Sequence, residues 1–300
     1  MSDWTGNHTK KALVCAGAII ALVMAIQASG MNERQASAGK RLPGALGTPV
    51  RITLHGSTPT MAWSPDSKRL AVNSAFEYYG FRRQLLKYRK HLGVYVVDLA
   101  RRKTIRVTPN QGYHPLWLSK TRLAWGHSPY EAGKPGLFLA SVTKRAGRVK
   151  RLGTYKGVYT TLLAKNGNIL FYSGFPEYKR WVYANPRTGA VRATGQGGTS
   201  FGAGWSPPKA LWKSQCLQKV GKTVASVNAT TTRYLLKTAN KSLLLPGKPY
   251  RYRSAGAMGC RTTGTCGGVL PCVAPNGKRV AYFTQTATTG VFQLNVQQVR

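Results

Sequence analysis

Acidic side chains are scarce in this 300-residue chain: seven Asp and Glu stand against 45 Lys and Arg, for a formal charge of +38. They are Asp3, Glu33, Asp66, Glu77, Asp98, Glu131 and Glu177, and nothing beyond Glu177 carries a carboxylate side chain. Chemistry that needs clustered carboxylates has almost nothing to draw on, whether paired acids for glycoside hydrolysis or oxygen cages for calcium and magnesium. The five histidines, His8, His55, His91, His114 and His127, show no pairing at metal-ligand spacing. No Gly-x-Ser-x-Gly nucleophile elbow occurs. The glycines at 195–198 lack the Gly-Lys-Ser/Thr ending of a phosphate loop. No cofactor, metal or catalytic motif is therefore expected. What the chain does have is 42% hydrophobic and 10% aromatic residues, which excludes a disordered basic tail and supports a folded core.

Long apolar runs are absent except at 12–26, which follows Lys10 and Lys11 and leads into Gln27, Ala28 and Ser29. A basic flank before such a run reads as a secretory signal or a membrane anchor. Small-residue cleavage patterns stand at 28–30 and 36–38. Left uncleaved, 12–29 would span roughly 27 Å as a helix, close to the thickness of a bilayer core. A buried helix of a soluble protein is the plainer alternative. The expected organisation is a signal or anchor at 1–30, a small-residue linker at 31–48 and one folded domain at 49–300. Export to a periplasmic or extracellular compartment follows, and the cysteines agree with it. Cys15 lies within the apolar run, while Cys216, Cys260, Cys266 and Cys272 form an even set in the exported part. The preferred pairing is Cys260 with Cys266 and Cys216 with Cys272. A zinc site is the rival, against which the Cys-x5-Cys-x5-Cys spacing argues.

A pattern recurs along the folded part. Trp-Ser-Pro-Asp-Ser-Lys-Arg-Leu-Ala-Val at 63–72 aligns in register with Val-Ala-Pro-Asn-Gly-Lys-Arg-Val-Ala-Tyr at 273–282. Weaker copies stand at 117–125, 163–171 and 205–212. Each reads as strand, tight turn and strand, with the Asn-Gly pairs at 166–167 and 276–277 as the best hairpin signals. A third strand follows each copy, at 94–98, 137–140, 181–183, 233–236 and 291–294. A fourth follows most of them, at 104–108, 149–152, 190–193 and 242–245. Four short strands in a period of roughly 40–50 residues are the mark of propeller blades.

The repeat resembles the TolB-like, WD-type family of β-propellers, whose blades carry a Trp/Phe-Ser-Pro-Asp-Gly-Lys-Arg-Ile-Ala-Phe core and a later Ile-Tyr-Val-Val-Asp strand. The 63–72 and 94–98 segments match closely, the last copy matches well, and the other three are degenerate. The resemblance covers about 50–299 and implies an all-β propeller of four-stranded blades; the five copies make five blades, and the 12–26 run places an N-terminal apolar helix ahead of them. The long 205–273 interval has room for a sixth blade. It also implies that Asp66 and Asp98 cap turns. The 50–54 segment looks like a fourth strand but precedes the first blade, so it is expected to complete the last blade and clasp the ring. The family's α/β domain before the propeller has no counterpart in 30–49, so the envelope-integrity role the resemblance implies does not transfer unchanged.

Candidate binding residues come from cations interleaved with aromatics. The insertion at 76–91 supplies Arg82, Arg83, Lys87, Tyr88, Arg89 and Lys90, suited to a polyanion through charge and ring contacts. Smaller echoes are Lys179, Arg180 and Trp181, then Arg251 and Arg253 beside Tyr250. The plainer reading makes these solvated loops with packed rings. Cations at 101–103 and 144–151 sit at outer-strand turns, where they also discourage edge pairing. The expected function is a non-enzymatic, exported scaffold or binding protein of the cell envelope. Its partner would be an envelope protein, an anionic glycan or an anionic lipid surface, with nucleic acid a second choice and membrane contact through 12–29 if that segment is retained. A propeller enzyme acting on an acidic polymer is the alternative, with Tyr113 and His114 as its candidates. A third reading makes the basic composition a general adaptation, which would spread the charge evenly.

Overall fold

The computed structural model describes residues 49–56, 59–76, 82–110, 112–127, 136–143, 147–153, 158–173, 180–197, 211–228, 233–250, 270–288 and 290–299. The chain divides into Met1–Ala45 and Leu46–Arg300, and every described residue belongs to the second unit. The apolar run at 12–26, Lys179, Arg251, Arg253, Cys260 and Cys266 lie outside the described residues. Among those described, no helix is long and apolar enough to cross a membrane.

The strands are β1 (Val50–His55), β2 (Met61–Trp63), β3 (Arg69–Ser74), β4 (Gly93–Asp98), β5 (Lys103–Thr108), β6 (Tyr113–Trp117), β7 (Arg122–His127), β8 (Gly136–Ser141) and β9 (Lys150–Gly153). They continue with β10 (Val158–Ala164), β11 (Ile169–Ser173), β12 (Arg180–Ala184), β13 (Val191–Gly197), β14 (Trp212–Lys213), β15 (Lys219–Val220), β16 (Thr223–Asn228), β17 (Arg233–Lys237) and β18 (Ser242–Leu244). The last are β19 (Cys272–Val273), β20 (Arg279–Gln285) and β21 (Val291–Gln298). They form five antiparallel sheets: β2 to β5, β6 to β9, β10 to β13 with β14 added beside β10, β15 to β18, and β19 to β21 with β1. Neighbouring sheets meet at their inner sides, the second strand β16 touching the innermost β19, and the innermost strands meeting as β19 with β2, β2 with β6 and β6 with β10. This is the β-propeller the repeat implies.

Inner and middle strands such as β2, β3, β4, β7 and β20 are covered on both faces and read as near-continuous apolar runs. Outer strands such as β1 and β5 keep exposed positions. In β3, Leu70 and Val72 pack with Phe283, Phe292 and Leu294 of the last sheet, while Ala71 packs with Trp117, Leu123 and Trp125 of the next. The Trp that opens the repeat has a further task. Trp63 Nε1 donates to the Cys272 carbonyl (3.1 Å), and Trp117 Nε1 donates to the Ala62 carbonyl (3.0 Å). In both cases the indole ties its own inner strand to the inner strand of the preceding blade.

The ring is clasped as expected: β1 runs antiparallel to β21, from Val50 opposite Val296 to His55 opposite Val291. The fourth blade starts elsewhere than expected. Its first strand is β15, whereas Trp212 pairs with Ala164 of the third sheet. Pro207 and Pro208 carry no amide hydrogen, so the 205–212 copy is a poor ladder partner. The 76–91 insertion also holds a short helix, α1 (Arg82–Tyr88), continued by a turn of 3-10 helix at Arg89–His91. Its Arg-Arg-Gln-Leu-Leu-Lys run is built from good helix formers.

Candidate functional site: a cationic turn face and a strapped channel

In an antiparallel blade, the turn between the first and second strands and the turn between the third and fourth lie at the same end. Hydrogen bonds join these ends from blade to blade. Thr223 Oγ1 donates to the Gly277 carbonyl, Asn276 N to Ser67 Oγ (3.0 Å) and Arg279 Nη1 to the Ser67 carbonyl (3.2 Å). Arg69 Nη1 reaches the Lys120 and Val142 carbonyls, each at 3.1 Å, and Arg122 Nη2 reaches the Pro186 carbonyl at 3.0 Å. The arginine of the Lys-Arg repeat is thus spent on clamping neighbouring turns. The lysine is not.

Every first turn holds one exposed lysine: Lys68, Lys120, Lys165, Lys222 and Lys278. The outer turns add Arg101, Arg102, Arg148, Arg187 and Lys241, all exposed. The segments between these strands contain one acid, Asp66, which accepts from Ser64 Oγ (2.7 Å) and Lys68 N (3.1 Å). Asp98 is buried at the end of β4 and holds Arg69 and Arg101, the two ion pairs found among the described residues. Both acids organise turns, as the resemblance implies. The result is a cationic face with little countercharge, gathered from all five sheets.

On the same face, residues 211–217 strap the ends of the inner strands. Lys165 N donates to the Leu211 carbonyl (3.0 Å), β14 pairs with the end of β10, Trp63 N donates to the Gln215 carbonyl (3.0 Å) and Val273 N to the Leu217 carbonyl (2.6 Å). Gln215 behaves as a strand partner in miniature. Its Oε1 accepts from Trp117 N (2.7 Å) and its Nε2 donates to the Trp117 carbonyl (2.5 Å). Cys216 is disulfide-bonded to Cys272, with the Cα atoms 4.7 Å apart.

Above the strap lies a cavity of about 260 Å³ in the channel, bounded by β2, β6, β10 and Lys213 to Cys216. His114 enters it because β6 is bulged between Tyr113 and Leu116, and a bulge re-aims side chains. The residue has φ +46°, a left-handed backbone that only a minority of non-glycine residues adopt. Its carbonyl accepts from Thr161 Oγ1, which follows a matching irregularity in β10. Burial pushes the His114 imidazole down to about 4, so it is neutral near pH 7. No group of three or more potential metal-binding side chains occurs among the described residues.

The residues singled out in the sequence fall mostly elsewhere. Helix α1 belongs to the connection from β3 to β4, at the opposite end of the first blade from the turn face. Arg82 opens it, and Arg83, Lys87, Arg89 and Lys90 are exposed along with Leu86. Tyr88 is buried: its ring lies 4.6 Å from His55 and 5.8 Å from Phe76. His91 is 4.5 Å from His55, whose imidazole is held below its ordinary value by burial first and by His91 second. Trp181 is buried in β12 against Tyr172, and Tyr250 is buried against Phe292. These three rings serve the core and are not presented for stacking on a partner. Arg180 begins β12 opposite Ser173. Tyr113 donates its hydroxyl to the Phe76 carbonyl (2.8 Å) and so anchors the insertion rather than a ligand. The turn lysines and Gln215 were missed. The lysines had a signal, since each first turn contains one, although at differing offsets from the strand that follows; Gln215 had none.

No family model matches the chain, and no curated protein matches it. Among solved structures, it is similar to TolB from Acinetobacter baumannii, at 17% identity and a TM-score of 0.34, covering 80% of this chain and 54% of that one. It is also similar to an oligogalacturonate lyase in complex with manganese, at 12% identity and a TM-score of 0.38, covering 80% of this chain and 65% of that one. A puromycin hydrolase matches at 11% identity and a TM-score of 0.32, covering 79% of this chain and 35% of that one. The chain thus spans about half of the Acinetobacter protein and less than two thirds of the lyase, and similarities this distant say nothing about activity.

Proposed function

We propose that this chain is a non-enzymatic, exported propeller scaffold of the cell envelope, and that its turn face holds an anionic partner. One observation carries the reading: five exposed lysines, one from each sheet, are gathered on one face whose turns contain a single acid. A merely basic composition would not place an exposed lysine in the first turn of every sheet while leaving a single acid among those turns. The apolar run at 12–26 and the Cys216–Cys272 disulfide support export to an oxidising compartment. The test is binding of the full chain to soluble polyanions, such as heparin, polyphosphate and duplex DNA, across a salt series. The variant K68Q/K120Q/K165Q/K222Q/K278Q should weaken binding by about tenfold or more and flatten its salt slope. The α1 variant R83Q/K87Q/R89Q/K90Q should change it little. Equal loss in both would return the charge to a general, faceless role.

A second reading, an enzyme acting on an acidic polymer, is favoured by one feature: a neutral His114 in a channel cavity that Lys213 also lines. It predicts depolymerisation of an acidic glycan that H114Q abolishes while leaving binding intact. Unchanged turnover in H114Q would remove it.

A further inference from the structure

We infer that the cationic turn face docks on an anionic lipid bilayer. The inference rests on the polyanion reading above and names the surface. Three observations select a bilayer over a strand-like polyanion. The first is planarity: direct hydrogen bonds tie the first turns of the fourth, fifth, first and second blades edge to edge, so their lysines share one end of the ring. Ten exposed cations on the inner and outer turns suit a two-dimensional field of phosphates, whereas a single polymer strand crosses only part of such a ring.

The second is where the chain enters the propeller. β1 begins at Val50 opposite Val296, and the Val299 amide donates to the carbonyl of Lys278 (2.9 Å), one of the turn lysines. Residue 49 therefore enters from the turn face and not from the α1 side. The third is the segment ahead of it. Residues 27–48 separate the apolar run from that entry point, a chain length that spans at most roughly 75 Å when fully extended. An apolar segment held in a bilayer would tether the propeller to the lipid through residue 49, which lies on the turn face. A single apolar signal joined to a basic patch is a recognised pairing of membrane signals, and juxtamembrane cations are drawn to anionic headgroups within a Debye length.

The experiment uses the full chain and two sets of vesicles: neutral phosphatidylcholine alone, and the same lipid with a minor fraction of phosphatidylglycerol. Neutral vesicles measure what the apolar run does alone; the extra partitioning onto anionic vesicles measures the face. The five-lysine variant is expected to lose that increment by about tenfold or more, with neutral-vesicle binding unchanged, and the α1 variant is expected to keep it. The triple variant K68Q/K120Q/K278Q serves if the five-lysine protein fails to fold. An increment that survives the turn substitutions, or that falls equally in the α1 variant, overturns the inference. Heparin or DNA binding by the wild type without any anionic-vesicle increment overturns the bilayer and leaves the polyanion reading standing. Binding to neither overturns both.

Discussion

At the scale of single residues, side chains of the repeat act across blade boundaries. Trp63 and Trp117 spend their indole N–H groups on carbonyls of the preceding inner strand, and Arg69, Arg122 and Arg279 spend their guanidinium groups on neighbouring turns. His114 is the residue whose charge state the fold controls most visibly. Its folded value of about 4 lies below the ordinary 6.5, so the unfolded chain takes up this proton first as pH falls. The stabilisation from keeping the ring neutral is therefore complete above about 6.5 and is lost on the way down to about 4. H114Q should remove this share of the acid sensitivity, about 2 kcal/mol across the window. Urea unfolding of both proteins at pH ~7 and ~4.5 checks it. Parallel losses in wild type and variant would mean that His114 is not the titrating group, leaving His55 as the next candidate.

At the scale of elements, the strap at 211–217 holds four inner strands together through the Leu211, Gln215 and Leu217 carbonyls, the β14–β10 pairing and one side-chain amide. Replacing Gln215 with Ala strands the Trp117 N–H and carbonyl beside a buried indole, which should cost about 1–3 kcal/mol. The Cys216–Cys272 bond spans 56 residues, a loop whose closure is worth about 4 kcal/mol in the chain-entropy picture. The double variant C216A/C272A should fall by a comparable amount in chemical denaturation, and adding reductant should then lower the variant less than it lowers the wild type. A wild type indifferent to reductant would show that the hydrogen bonds alone secure the strap. The same elements mark what could be read from the sequence. The inner and middle strands were legible because they are buried on both faces, and several are punctuated by Asn-Gly or Pro-Asp turns. The clasp was legible because 50–54 copies the alternation of β5. The fourth blade was misplaced because the Trp at 205 looked like the start of a repeat, although two prolines follow it. The insertion hid a helix because an aromatic and basic run suggested a ligand before it suggested a secondary structure. Beyond its paired cysteine the strap left no pattern, since the rest of its hold comes from backbone groups and one amide.

At the scale of the whole molecule, the charge sets binding and stability against each other. Like charges gathered on one face repel in the compact state, and nothing in the turns except Asp66 offsets them. Removing the five turn lysines should therefore weaken anion binding and raise folding stability together. The gain should be on the order of 1 kcal/mol at low salt, as expected of many weak repulsions across a solvated surface. It should shrink as salt rises, because the screening length falls from about 10 Å at 0.1 M to about 3 Å at 1 M. Thermal melts of the wild type and the five-lysine variant across that range decide it: the two curves should converge at high salt, with the variant ahead at low salt. Adding a soluble polyanion should raise the melting temperature of the wild type far more than that of the variant, because only the wild type has the face to bind it. If the variant melts with the wild type at every salt concentration, the lysines are too far apart or too well solvated to repel. Their presence in every first turn would then reflect only the tolerance of exposed turns for lysine. If it is more stable and binds less, the lysines are kept in spite of their cost to the fold, as expected of residues retained for a partner.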